Sequence, residues 1–429
     1  MDNYDLRNAQ HQVLCAELHM MQIKGIKIYP NQEKIAEQVG NSFASGEVVT
    51  TMVVARTQSG KTGSMCAVIR ELTNTTYNRP ANLDNVFIVT GLSSIEWKTQ
   101  TEERIPPSIR NNVMHANNLQ ELANIIKDKT DVLIIMDEVH VAAAKTQRLD
   151  TLFKTAALND PEHMREHNIR VVQYSATPNG TLYDLQTWGT AANMILAQPG
   201  EGYVGTQQLI QQGRIRQFSG EVGLSPQANQ EFIQAVTSFN TPRYHIIRIN
   251  VLESVKTHKI TIKNIFKQKN IHNIHVLSYE CSKKTDIKNI NQTLQIQPTL
   301  HTIIILKNML RCAKTIHKTY IGVIHDRPVA NTQDDVVIQG LTGRITGYDT
   351  NQDSIIFTNL KSIHKYEQLW ENNFEQNNND NTTHKWKTKN NKNTFNLIDE
   401  KKTETETETE TETVNQIEIE EPTNENESH

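Results

Sequence analysis

A chain of 429 residues and 48.9 kDa is too long for one ordinary domain and suits two or three. Only 37% of the residues are hydrophobic, and no apolar run approaches the ~18 residues a spanning helix needs, which argues against an integral membrane protein. The net charge of −4 is uneven: Thr403 to His429 holds ten Glu and no Lys or Arg, leaving +6 on residues 1–402, and residues 251–320 hold twelve Lys/Arg against three Asp/Glu. A basic region of that kind is suited to phosphate.

The opening residues, Met1-Asp2-Asn3-Tyr4-Asp5, lack the basic and apolar segments of a signal peptide. Cys15, Cys66, Cys281 and Cys312 stand far apart with no CxxC pair, so an intracellular, reducing, non-secreted setting is expected. Residues 1–24 read as a helical extension. Strands are predicted at Met52–Ala55, Val86–Val89, Val132–Met136 and Val171–Tyr174, with helices such as Met65–Leu72 and Leu119–Lys127 between them. A second series follows at His245–Ile249, His275–Leu277, Ile303–Leu306, Ile321–Ile324 and Ile355–Phe357. Nearly continuous apolar strands separated by helices predict parallel sheets covered on both faces, hence two α/β domains, over 25–200 and 242–371. The polar stretch 201–241 reads as a linker. From 372 the chain fills with Asn, Thr and Glu and runs into TE repeats with no apolar face, so a disordered tail is expected, with a protein partner as one use for it.

Two segments carry chemistry. After the first strand comes Ala55-Arg56-Thr57-Gln58-Ser59-Gly60-Lys61-Thr62, the Gx4GK[ST] pattern with Ala55 in the first Gly position. A tight loop at a helix N-terminus wraps phosphate with its N–H groups, Lys61 reaches β/γ-phosphates, and the Thr62 hydroxyl suits Mg²⁺. The run Val132–Met136 ends in Asp137-Glu138-Val139-His140. Acids at the carboxyl end of a buried parallel strand face the crevice where ligands bind. Asp137 is expected to hold Mg²⁺ and Glu138 to deprotonate the attacking water. His258, His272, His275, His301 and His317 lack tight spacing with carboxylates, so no zinc site is expected.

These motifs resemble superfamily 2 helicases of the DExH type: Ala55–Thr62 resembles motif I and the DEVH of Asp137–His140 resembles motif II. Ser175-Ala176-Thr177 matches motif III, Tyr29-Pro30-Asn31-Gln32 the adenine-reading segment, and Thr90-Gly91 with Trp97 falls where motif Ia would lie. Gln339-Gly340-Leu341-Thr342-Gly343-Arg344-Ile345-Thr346-Gly347-Tyr348 resembles motif VI, and Lys307–Thr315 stands where motif V is expected. The QGLTGRITGY form resembles helicase-like proteins of large DNA viruses, which would place the protein in a virion or infected-cell cytoplasm.

The resemblance implies two tandem RecA-like domains with ATP and Mg²⁺ between them and DNA or RNA across both. Lys61, Asp137, Glu138 and Arg344 would be catalytic, Arg344 as an arginine finger worth ~10³–10⁵ in rate. Gln32 and Ala55 through Thr62 would bind ATP. His140, Ser175 and Thr177 would couple hydrolysis to closure, and Thr90, Gly91, Arg311 and Lys314 would meet nucleic acid. The sequence departs from the family pattern in three places. Gln339 stands four residues before Gly343 rather than three, Gly347 replaces the second Arg of motif VI, and motif V lacks its Thr-Asp and Gly-Asp residues. ATP hydrolysis therefore follows from the motifs more directly than duplex unwinding. An ATP-switched clamp, or a subunit of a transcription or restriction-like complex, is the alternative. A P-loop kinase or GTPase fits less well, lacking an NKxD at a strand end.

Overall fold

The computed structural model describes residues 3–374, apart from 91–92, 94, 139–147, 179–187, 251, 283, 308, 311–314, 330–331, 333, 349–350 and 352. Six strands build the first sheet: β1 (Thr50–Ala55), β2 (Val86–Thr90), β3 (Val113–Met114), β4 (Val132–Asp137), β5 (Ile169–Ser175) and β6 (Ala192–Ala197). All their pairings are parallel, in the order β3-β2-β4-β5-β1-β6. Strands β1, β2, β4 and β5 are buried at every residue, which is why they read as unbroken apolar runs. The register sets Val54 beside Ser175 and Tyr174 beside Asp137, so three neighbouring strands end side by side.

The second sheet holds β7 (Ile215–Gln217), β8 (Tyr244–Arg248), β9 (Ile274–Glu280), β10 (His301–Lys307), β11 (Ile321–His325) and β12 (Ile355–Thr358), also parallel, in the order β7-β12-β11-β8-β10-β9. Here the linker reading of 201–241 fails. That stretch carries the helix Thr206–Gln211, the edge strand β7 and the helix Pro226–Thr237. Strand β7 pairs with β12 through only three residues and exposes two of them, so it leaves no apolar run to see. The start of the tail also shifts: Phe374 is buried against Trp370 and Tyr366, three residues past the helix Leu360–Glu371. The TE repeats lie outside the described residues.

One apolar cluster packs the first sheet against the helices Pro30–Phe43 and Lys61–Thr73. Another packs the second sheet against Pro226–Thr237 and Val255–Lys267, and a third joins residues of both sheets, such as Met136 and Ile246, with helix residues such as Leu209 and Trp370. Both sheets lie within one compact unit. The helix Asn3–Ile23 is anchored by buried Leu14 and Met21 and by Arg7 Nη2 donating to Asp131 Oδ2 at 2.7 Å.

Candidate active site

The loop 56–60 leaves the buried end of β1 and turns sharply, with Gln58 at φ +55° and Gly60 at φ +92°, into the helix Lys61–Thr73. Gln32 braces it. Its Oε1 accepts from the Tyr29 N–H at 2.9 Å, and its Nε2 donates to the Gly60 carbonyl at 2.9 Å. A Cβ on Gly63 would lie 2.4 Å from Gln32 Oε1, so glycine there leaves room for the brace. Thr62 stands in the first turn of the helix, beside Lys61.

Lys61 Nζ is ion-paired with Glu138 Oε1 and lies 3.5 Å from Asp137 Oδ1. Trp97 donates its indole N–H to Asp137 Oδ2 at 3.0 Å. Burial alone would lower the Lys61 pKa, but the adjacent charges of Glu138 and Asp137 outweigh it and hold the ammonium above its ordinary value. Burial raises the Asp137 carboxyl, with Lys61 opposing and Glu138 reinforcing. Asp137 Oδ1 is buried, and apart from the Lys61 ammonium 3.5 Å away it has no donor. A buried anionic oxygen beside a phosphate loop is a donor set that fits a hard divalent cation.

The second sheet's elements close over the same loop. Thr346 Oγ1 lies 2.9 Å from Thr57 Oγ1, Gln58 Nε2 donates to the Arg344 carbonyl at 3.2 Å, and Tyr203 OH donates to the Thr57 carbonyl at 2.7 Å. A Cβ on Gly343 would meet the Ile338 carbonyl at 2.3 Å and Thr57 Cγ2 at 3.0 Å, so the approach depends on glycine. Gln339 Nε2 donates to Thr177 Oγ1 at 2.7 Å, and the Thr177 N–H donates to Ser175 Oγ at 3.1 Å. The segments 175–177 and 339–344 therefore touch. The Arg344 side chain donates through Nη2 to the Gln339 carbonyl at 2.9 Å.

Lys61, Asp137 and Glu138 converge, and Gln32, Thr57, Gln58, Ser175, Thr177 and Arg344 lie around them. Arg56 does not join them: its guanidinium makes two 2.9 Å bonds to Glu367 and stacks 4.4 Å from the Trp370 ring centroid. Thr90 ends β2 in register with Asp137 and is buried. Gly91, His140, Arg311 and Lys314 lie outside the described residues. Sequence reasoning missed Tyr203, Thr206, Lys318 and Glu367. Thr206 Oγ1 donates to Glu367, and Lys318, though part of the basic stretch, is buried and donates to the Thr346 carbonyl. None of the four belongs to a motif. Trp97 carried a weak signal through its place after β2.

No family model matches the chain. It is 26% identical over 363 residues to an uncharacterized protein of Acanthamoeba polyphaga mimivirus, covering 80% of this chain and 86% of that one. Among solved structures it is similar to the DEAD-box helicase Mss116 bound to ssRNA and UDP-BeF, with TM-score 0.50, 15% identity, and 80% and 72% of the two chains covered. A doubly truncated Mss116p bound to ssRNA and AMP-PNP matches with TM-score 0.53 and 16% identity, over 84% and 76%. The fold is thus that of tandem RecA-like helicase cores: two six-stranded parallel α/β domains.

Proposed function

We propose that the protein is a nucleic-acid-dependent ATPase of the DExH type, a helicase or translocase that hydrolyses ATP between its two domains while gripping DNA or RNA. The observation that carries this reading is the side-by-side ending of β4, β5 and β1, which sets Lys61 between Asp137 and Glu138 under the QGLTGR segment of the other domain. Phosphate oxygens would compete for Lys61 and release the Glu138 carboxylate, free then to take a proton from the attacking water. Thr62 and Asp137 would hold Mg²⁺, which neutralises charge on the phosphates. Gln32 would report adenine occupancy to the loop through Gly60. Arg344 would turn from the Gln339 carbonyl toward the γ-phosphate, and the Gln339–Thr177 bond would couple that movement to Ser175. The mimivirus relative supports a place in infected cells. Among the described residues no helix is long and apolar enough to cross a membrane. The division into a nucleotide-binding domain over 25–200 and a second domain stands in this reading, with the second domain's start moved back to about Thr206 to include β7.

Steady-state ATP hydrolysis with and without single-stranded DNA, duplex DNA and RNA tests this. Lys61→Ala should abolish nucleotide binding, and Glu138→Gln should bind ATP yet turn over at least 10²-fold more slowly. Wild-type turnover by Glu138→Gln would remove it as the base. The Arg344–Gln339 contact also suits the clamp reading, which is favoured if ATP tightens nucleic-acid binding with no displacement of a labelled strand.

A further inference from the structure

Away from the nucleotide site, three residues that no sequence spacing joined come together in the second domain. Glu221 lies in the turn after β7, Glu253 in the loop after β8, and His258 in the first turn of the helix Val255–Lys267. One ligand atom from each lies within 4.8 Å of the others. The turn is built around the histidine. Val222 is fully buried, and Gly223, at φ +99°, would bring a Cβ within 3.3 Å of His258 Nε2. The Gly223 N–H is in turn held by Asn229 Oδ1 at 2.6 Å.

His258 is 94% buried by its 6% exposure, and its hydrogen bonding sets its tautomer. Nε2 lies 3.2 Å from the Val222 carbonyl, which can only accept, so Nε2 carries the hydrogen. Nδ1, the remaining ring nitrogen, faces the cluster, 3.0 Å from Glu253 Oε2. Two lone pairs at that distance repel unless a positive species lies between them. Glu221 Oε1, the third ligand atom of the cluster, is a buried oxygen with no protein hydrogen-bond donor. The Lys307 ammonium donates to the main-chain carbonyl of Glu253 at 2.8 Å.

We propose that Glu221, Glu253 and His258 form a binding site for a divalent transition-metal ion of the zinc class. One imidazole and two carboxylates suit Zn²⁺ and its congeners, and three protein ligands leave a position for water. The backbone carbonyl on the opposite ring nitrogen is the usual outer partner of a ligating histidine. Both glutamates are half-buried, so an ion can enter from solvent. Bound there, it would tie the turn after β7 to the loop after β8 and the adjacent helix start.

The test uses the full chain, stripped with chelator, in buffer free of nucleotide and Mg²⁺, titrated with Co²⁺ as the spectroscopic probe and then with Zn²⁺. One equivalent of Co²⁺ should bind with visible bands of a nitrogen–oxygen site and be displaced by Zn²⁺. Affinity should fall at least 10-fold in His258→Gln and in Glu221→Gln, and stay unchanged in Asp137→Asn, which reports on the nucleotide site. Glu221→Gln alters a half-buried turn and keeps the test open if His258→Gln misfolds. Undiminished binding in folded variants, loss of binding in Asp137→Asn, or no binding to the wild-type chain would each overturn the assignment.

Discussion

The Arg56–Glu367 pair is the most quantifiable feature of the contact between the two domains. Both side chains are nearly buried, at 11% and 8% exposure, and the two 2.9 Å bonds form a parallel fork. The guanidinium also lies 4.4 Å over Trp370 and 5.7 Å over Tyr366. Glu367→Gln keeps the volume but removes the charge and turns an amide donor toward Arg56, leaving a buried cation without its counter-ion. Breaking a buried pair in this way costs about 3–5 kcal/mol, and the residual amide acceptor offsets some of that, so a loss of about 3 kcal/mol is expected. That is roughly a 10²-fold change in the folded-to-unfolded ratio of the affected unit. Replacing both partners, Arg56→Met with Glu367→Leu, should recover most of it, because neither buried charge remains. Urea unfolding followed by tryptophan fluorescence reads both variants. A Glu367→Gln midpoint within ~0.5 kcal/mol of wild type, or a double variant no better than the sum of the singles, would refute the reasoning.

Two further outcomes are expected. Trp97→Phe leaves Asp137 Oδ2 without its indole donor and should cost about 1.5–3 kcal/mol, the range for a hydrogen bond to a charged group; an unchanged urea midpoint would show that the bond contributes nothing. His325, stacked 5.5 Å from Phe357 and buried, has its pKa pushed down to about 4 by burial, against the opposing charges of Asp326 and Glu231. The unfolded chain takes up that proton near pH 6.5, so the contribution is complete above pH 6.5 and is lost as pH falls toward 4, by up to about 3 kcal/mol. His325→Phe should flatten the fall in unfolding free energy over that window. The part due to His245, also lowered by burial, should remain. A wild-type slope in His325→Phe would assign the pH dependence elsewhere.

What the sequence determined by itself is local and periodic. Strands β1, β2, β4 and β5 are buried on both faces, so each leaves an unbroken apolar run. The same pattern exposed β8, β10, β11 and β12, and the GKT and DE residues stand directly at strand ends. The edges were not legible. Strand β3 is two residues long, β6 alternates in exposure, and β7 has three residues in a polar stretch. The tertiary structure alone decided which side chains meet. Arg56 reads as a phosphate ligand from its loop, yet it turns to a glutamate 311 positions away. Trp97 reads only as a neighbour of the motif Ia position, yet its indole donates to Asp137. Glu221, Glu253 and His258 converge only because β7 and β8 belong to one sheet. The physical reason is common to all three. Periodicity records which face of an element is buried, whereas a polar partner across the fold is chosen by strand order and register, which long-range pairing sets.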